Sequence, residues 1–313
     1  MFLGIQTPQY SCEVADLLHV WQAADRLGFR SAWLMDHLVP VVVPDTEPML
    51  EAWTTLAALA AGTTRIRVGA LVTANTFRPP AILARSAATI DRLSGGRLEV
   101  GLGAGWNGPE HVANGLEFPG VKDRLDMLDE SCRVLRALWS EPVANFDGAH
   151  YKLVDAYCEP KPVQTPLPIL IGGRGEKRTL RIVATHADRW NGSGSIEMLQ
   201  HSVVKLHEHC AVVGRDPSTI ELTVRNDFSL TKDRETADGE LEQLAGFWKT
   251  TVDDARARTW IGPVDDVVES LLAFRAAGFH EAILALGAPY DGATVELLER
   301  VAADIMPKLG EHS

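Results

Sequence analysis

Residues 95–111 read GGRLEVGLGAGWNGPEH. An apolar run, Leu98 to Leu102, is framed by glycines and passes straight into a glycine-rich turn. That turn ends in a tryptophan, an asparagine, a carboxylate and an imidazole. Most of the short apolar runs in this chain are continuous rather than alternating, the pattern of parallel strands covered on the outside by helices. Seven further runs are candidates for the same sheet: Leu3–Gln6, Ala32–Met35, Ile66–Val72, Pro168–Ile171, Asp188–Asn191, Ile220–Arg225 and Ala282–Leu286. Amphipathic helical patterns lie between them. In Val14–Leu27 the apolar face is Leu17, Leu18, Trp21, Ala24 and Leu27, and Gly28 offers a C-terminal cap. Ala81–Leu93, Val264–Ala277 and Thr294–Leu309 follow the same habit. Eight strands, each followed by a helix, predict an α/β chain folded as one (β/α)8 TIM barrel, a single domain over residues 1–313. A doubly wound open sheet shares the alternation, and the count of eight favours the barrel.

Two stretches exceed what a minimal barrel needs. Residues 107–165, after strand four, hold a helix from about Lys122 to Trp139 and an Asp147-Gly148 hairpin signal, with the proline-rich run Glu159–Pro168 leading into strand five. Residues 231–260, after strand seven, are charged and helical in character. Long loops after barrel strands usually cover or shape the active face.

Composition narrows the partners. The chain is 46% hydrophobic and 23% charged, with a formal net charge of −12. So acidic a surface is a poor match for a phosphate backbone, which disfavours nucleic acid. No segment has the apolar length needed to span a bilayer, and the start, MFLGIQTPQY, lacks a signal-peptide pattern. Cys12, Cys132, Cys158 and Cys210 are far apart and form no CxxC or zinc spacing, so reduced thiols in the cytoplasm are expected.

In a barrel the chemistry sits at the C-terminal ends of the strands. Strand two ends in Asp36-His37, the sharpest titratable pair: either an imidazole that exchanges a proton beside an anchoring carboxylate, or a capping aspartate beside a satisfied histidine. Strand five runs into Gly172-Gly173-Arg174-Gly175 and a helix opening at about Glu176. Glycine-exposed amides there, backed by Arg174, Lys177 or Arg178, suit a phosphate. In GLGAG, residues 101–105, the missing Cβ atoms would let backbone approach a flat ligand closely. Trp106 walls a binding cavity or packs the loop. Glu110 and His111 read as solvated loop residues. No HExxH, G-x-S-x-G or metal-spaced carboxylate pattern is present, and no metal is expected.

SAWLMDHL (31–38), GALVTANTFRPPAILARSAATIDRLSGGRLEVGLGAGWNGPEH (69–111), LPILIGGRGEKRTLRIVATHADRWN (167–191) and GPVDDVVESLLAFRAAGFHEAIL (262–284) together carry a resemblance over nearly the whole chain. They resemble the luciferase-like monooxygenase family of flavin- and deazaflavin-dependent oxidoreductases, and most of all its coenzyme F420-dependent branch. The resemblance implies a (β/α)8 barrel with insertions, a homodimer, and a three-ring cofactor lying across the C-terminal strand ends. It places Asp36 and His37 beside the ring. Leu71, Val72 and Thr73 would form a bulge behind it, with a non-prolyl cis peptide near Leu71–Val72. Gly103, Ala104, Gly105 and Trp106 would contact the cofactor, and Gly172, Gly173 and Arg174 would hold its phosphate. The implied function is hydride transfer between C5 of F420 and a small organic substrate, with His37 as proton partner. FMN in place of F420 would make a monooxygenase; a barrel that binds cofactor without turnover is the alternative of another class. Trp106 stands where some sugar-oxidising relatives carry a glutamate, which turns the expected substrate toward apolar or aromatic molecules.

Overall fold

Eight parallel strands close on themselves in the computed structural model, which describes residues 1–310. They are β1 (Phe2–Gln6), β2 (Ser31–Leu34), β3 (Arg67–Ala70), β4 (Leu98–Gly103), β5 (Ile169–Gly172), β6 (Arg189–Gly192), β7 (Glu221–Leu230) and β8 (Glu281–Ala285). Each pairs with the next, and β8 returns to β1 through Phe2↔Glu281 to Gln6↔Ala285, so the barrel has no open edge. The expected (β/α)8 architecture is the one found. Its strands were legible because burial on both faces demands unbroken apolar runs.

Helices cover the outside. Val14–Leu27 buries Leu17, Val20, Trp21 and Ala24, opens on a capping box between Glu13 and Asp16, and stops at Gly28 with φ 88°. Inside the barrel, Trp33, Leu71, Leu170 and Ile283 form a small apolar plug. A Cβ on Gly69 would lie 2.4 Å from the Trp33 ring, so the glycine is what admits that tryptophan. Beneath the plug, at the N-terminal ends of the strands, Arg189 is bonded by Glu99 and Glu281 and lies 3.3 Å from Glu221. Arg67 adds a second cation on Glu99, and Arg30 one on Glu221. Burial makes such charges costly unless they are paired, and here each has a partner.

The insertion after β4 holds helices Gly108–Ala113 and Val121–Ser140 and the antiparallel hairpin Ala144–Asp147/Lys152–Ala156, which the Asp147-Gly148 signal predicts. Glu130 ties the hairpin down by accepting from the amides of Ala149, His150 and Tyr151 at 2.7–3.0 Å. The insertion after β7 differs from its purely helical reading. Helices Arg234–Trp248 and Val252–Ala257 are followed by a strand, Thr259–Gly262, which pairs in parallel with Asp227–Leu230. That partner is why β7 runs ten residues, past the rim. At the C-terminal end the helix Gly292–Arg300 gives way to a π-type turn over Val301–Ile305 and a 3-10 turn over Met306–Leu309. Pro307, which has no N–H to give, falls in that last turn. No helix among the described residues is long and apolar enough to cross a membrane.

Candidate active site

The C-terminal rim surrounds a cleft of about 610 Å³. His37, Leu71, Val72, Gly103, Ala104, Gly105, Trp106, Gly172, Gly173 and Arg174 all line it. Two of the expected contacts do not. Thr73 is fully buried, and its hydroxyl accepts from the Trp53 indole at 2.9 Å on the outer wall. Asp36 borders only a side cavity of about 210 Å³. Its carboxylate is gripped by both terminal guanidinium nitrogens of Arg78, which also reaches Glu51 at 3.2 Å. Asp36 therefore anchors the loop and has no free charge to offer.

The glycines of the quoted stretch answer first to the chain itself. Strand β3 ends at Ala70, the Leu71–Val72 peptide is cis, and Thr73–Ala74 resumes pairing beside β4. That bulge crowds β4. A Cβ on Gly101 would meet the Ala70 carbonyl oxygen at 2.1 Å, and one on Gly103 would meet Val72 Cγ2 at 2.7 Å. The room expected for a ligand at these two positions is thus taken by the bulge, which forms the cleft floor. Gln6 holds the bulge by donating to the Leu71 carbonyl at 3.0 Å, and Arg225 in turn donates to Gln6 at 2.7 Å. Gly103→Ala is expected to lower stability by about 1–3 kcal/mol, because Val72 must shift. Calorimetric unfolding of the two proteins reads it.

His37 leaves the loop after β2 with its Nδ1 2.9 Å from Glu110 Oε2 and its ring 5.6 Å from Trp106 in an edge-on arrangement. Reading Glu110 and His111 as solvated is corrected here: they are 2% and 1% exposed. Residues 108–113 coil into a short helix with Pro109 in its first turn, which turns both side chains inward. Glu110 also accepts from the Leu38 and Val39 amides. Burial pushes its carboxyl up, but the bonds from His37, Leu38 and Val39 outweigh that and hold it below the usual carboxylate range. His111 bonds Thr76 Oγ1 and the Asn107 carbonyl oxygen, both at 2.7 Å, between the rings of Phe77 and Phe118.

The far end of the cleft is cationic. The loop after β5 passes through Gly173 at φ 119° and opens the helix Thr179–His186, three residues later than the glycine pattern suggests. Of the three candidate cations only Arg174 faces the cleft; Arg178 turns away to Asp126 and the Lys122 carbonyl oxygen. Arg174 also opens into an adjoining pocket of about 330 Å³ lined by Arg225 and Arg258. Arg225 pairs with Asp227 and Arg258 with Asp254, which leaves Arg174 without a carboxylate among the described residues. Burial and the neighbouring Arg258 push its guanidinium down, so an anion there is electrostatically favoured. Arg225 ends the run read as strand seven, so the strand-end rule could have found it; Arg258 had no such signal. Elsewhere on the surface Asp123, Asp126 and His150 lie together, but Asp126 is already paired with Lys122 and Arg178.

These features describe a slot for an extended molecule: an imidazole and a tryptophan at one end, an apolar floor of Leu71 and Val72, and arginines at the other. Comparison with known proteins gives the family. The family profile for luciferase-like monooxygenases matches residues 2–259. An F420-dependent glucose-6-phosphate dehydrogenase of Segniliparus rotundus is 30% identical over 240 residues, covering 74% of this chain and 69% of that one. A pyrimidine monooxygenase RutA of Methylobacterium radiotolerans is 36% identical over 220 residues, covering 68% and 55%. Among solved structures, an F420-dependent secondary alcohol dehydrogenase in complex with an F420-acetone adduct superposes with a TM-score of 0.87 at 23% identity, covering 99% of each chain. The chain belongs to the luciferase-like monooxygenase family, whose members are F420- or FMN-dependent oxidoreductases and monooxygenases.

Proposed function

We propose that this chain is an F420-dependent oxidoreductase that moves a hydride between C5 of the deazaflavin and a small apolar or aromatic substrate. One observation carries the choice of F420 over FMN: Arg174, which has no carboxylate partner among the described residues, opens from the cleft into an adjoining pocket lined by Arg225, Asp227 and Arg258. FMN ends at its phosphate, whereas F420 carries further carboxylates beyond its own. When bound, F420 supplies two-electron hydride exchange. The chain's own residues do the rest. Gly172, Gly173 and Arg174 hold the phosphate. His37 takes up or returns the substrate's proton at Nε2. Val41, Val42 and Trp106, which line the same cleft, give the substrate an apolar wall. The RutA relative favours a second reading, in which reduced FMN activates oxygen.

Spectral titrations with F420 and with FMN test the assignment. The expected result is tighter binding of F420, with hydride exchange on a panel of apolar alcohols and ketones. FMN binding with NADH-coupled oxygen uptake would establish the monooxygenase instead, and binding without any turnover would leave a non-catalytic barrel. Arg174→Gln is expected to weaken F420 binding about 10- to 100-fold, the worth of a charged hydrogen bond, and to leave the phosphate-free deazaflavin unaffected. We also infer a cytoplasmic homodimer with no nucleic-acid or membrane partner. Four unbridged cysteines, three of them buried, suit a reducing compartment, and the family resemblance favours the dimer, which light scattering reads directly.

A further inference from the structure

We propose that Glu110 is a positioning residue that keeps the His37 proton on Nδ1 and so presents an unprotonated Nε2 to the cleft; this rests on the reading of the cleft as a redox site. The two groups come from a loop and a short helix, 73 residues apart in sequence. The Glu110 side chain is completely buried, and its oxygens divide the work. Oε1 accepts from the amides of Leu38 and Val39, which fixes the loop that carries the imidazole. Oε2 meets His37 Nδ1 at 2.9 Å. An ionised carboxylate only accepts hydrogen bonds, so a neutral imidazole in this contact carries its proton on Nδ1. Nε2 then has a free lone pair. It has no hydrogen-bond partner among the described residues, and the ring borders both the main cleft and the side cavity.

The other charged groups near His37 are already spent. Asp36 is neutralised by Arg78, and His111, on the same short helix as Glu110, is turned to Thr76 and Asn107. Glu110 is thus the carboxylate bonded to His37, and Trp106 meets the same ring edge-on. A proton arriving at Nε2 from a substrate hydroxyl would create an imidazolium already bonded to a counter-charge. The same arrangement returns the proton when the substrate is reduced.

Glu110→Gln is the discriminating variant. Its carbonyl oxygen can keep the two loop amides, while its NH2 faces Nδ1 and donates, which moves the ring proton to Nε2. Imidazole 15N shifts, recorded without cofactor and assigned with a His37→Gln control, read the tautomer directly. The expected result is Nδ1–H in the wild type and Nε2–H in Glu110→Gln. With F420 bound, the single-turnover rate should fall about 10²- to 10⁴-fold, as for loss of acid–base catalysis, with cofactor affinity unchanged. Glu110→Asp, which keeps the charge, should restore part of the rate. A wild-type His37 protonated on Nε2 would overturn the proposal whether or not the variant folds. An unchanged single-turnover rate in a variant with the reversed tautomer would overturn its catalytic half. Because the tautomer is read on the protein alone, failure of the redox reading would leave that result standing.

Discussion

His37→Ala should lower the rate of hydride exchange about 10²- to 10⁴-fold, the usual worth of a positioned acid–base group. Cofactor affinity should stay within a few-fold, because the phosphate end of the cleft, at Arg174, is built from other loops. Stopped-flow absorbance of the deazaflavin separates the two effects: the amplitude reports binding, the rate the chemistry. Wild-type and variant rates that agree at every pH would remove the imidazole from the reaction. The alanine also releases Glu110 from one of its bonds, so a modest loss of melting temperature is part of the expected result.

The second large effect is on stability. Arg189→Met should cost about 3–5 kcal/mol, because it removes the cation common to Glu99, Glu221 and Glu281 and leaves buried carboxylates undercompensated. The direction with pH follows from Glu99. Burial pushes its carboxyl up, but Arg189 and Arg67 outweigh that and hold it below the usual range. A carboxyl depressed in the folded state contributes stability that is complete above the unfolded value of about 4.3 and lost as pH falls through the folded one. The wild type should therefore weaken on acidification below about pH 4. In Arg189→Met the Glu99 carboxyl loses its largest stabilising cation and is easier to protonate when folded, so the gap between the two proteins should narrow with acid. Denaturant melts from pH 7 down to pH 3.5 would show it, and a gap that widens would contradict the assignment.

The barrel was readable because its cause is local. Parallel strands buried on both faces must be written as apolar runs, and β4 shows this in Leu98, Val100 and Leu102, all fully buried. Within β4 the chain also spells Glu99, which no periodicity explains; its reason is Arg189, ninety residues on. The site divided along the same line. His37, Trp106 and the two glycine turns sit at strand ends, where position alone singles them out. Glu110 looked like any loop carboxylate, since its burial depends on amides 71 and 72 residues away. What Asp36 anchors could not be read, because its partner Arg78 lies 42 residues downstream. Thr259–Gly262 could not be read as a strand, for four residues inside a charged helical stretch become one only by pairing with the overhang of β7.

The short helix Gly108–Ala113 has a practical consequence for anyone recombining members of this family. Through Glu110 it is stitched to residues 37–39, and through His111 to Thr76, so three loops on the rim are fastened to one another. A graft of the segment after β4 alone would sever those stitches. Transplants that carry 36–39, 71–78 and 103–111 as one block should keep the donor's chemistry, whereas single-loop swaps should yield well-folded barrels that are catalytically silent.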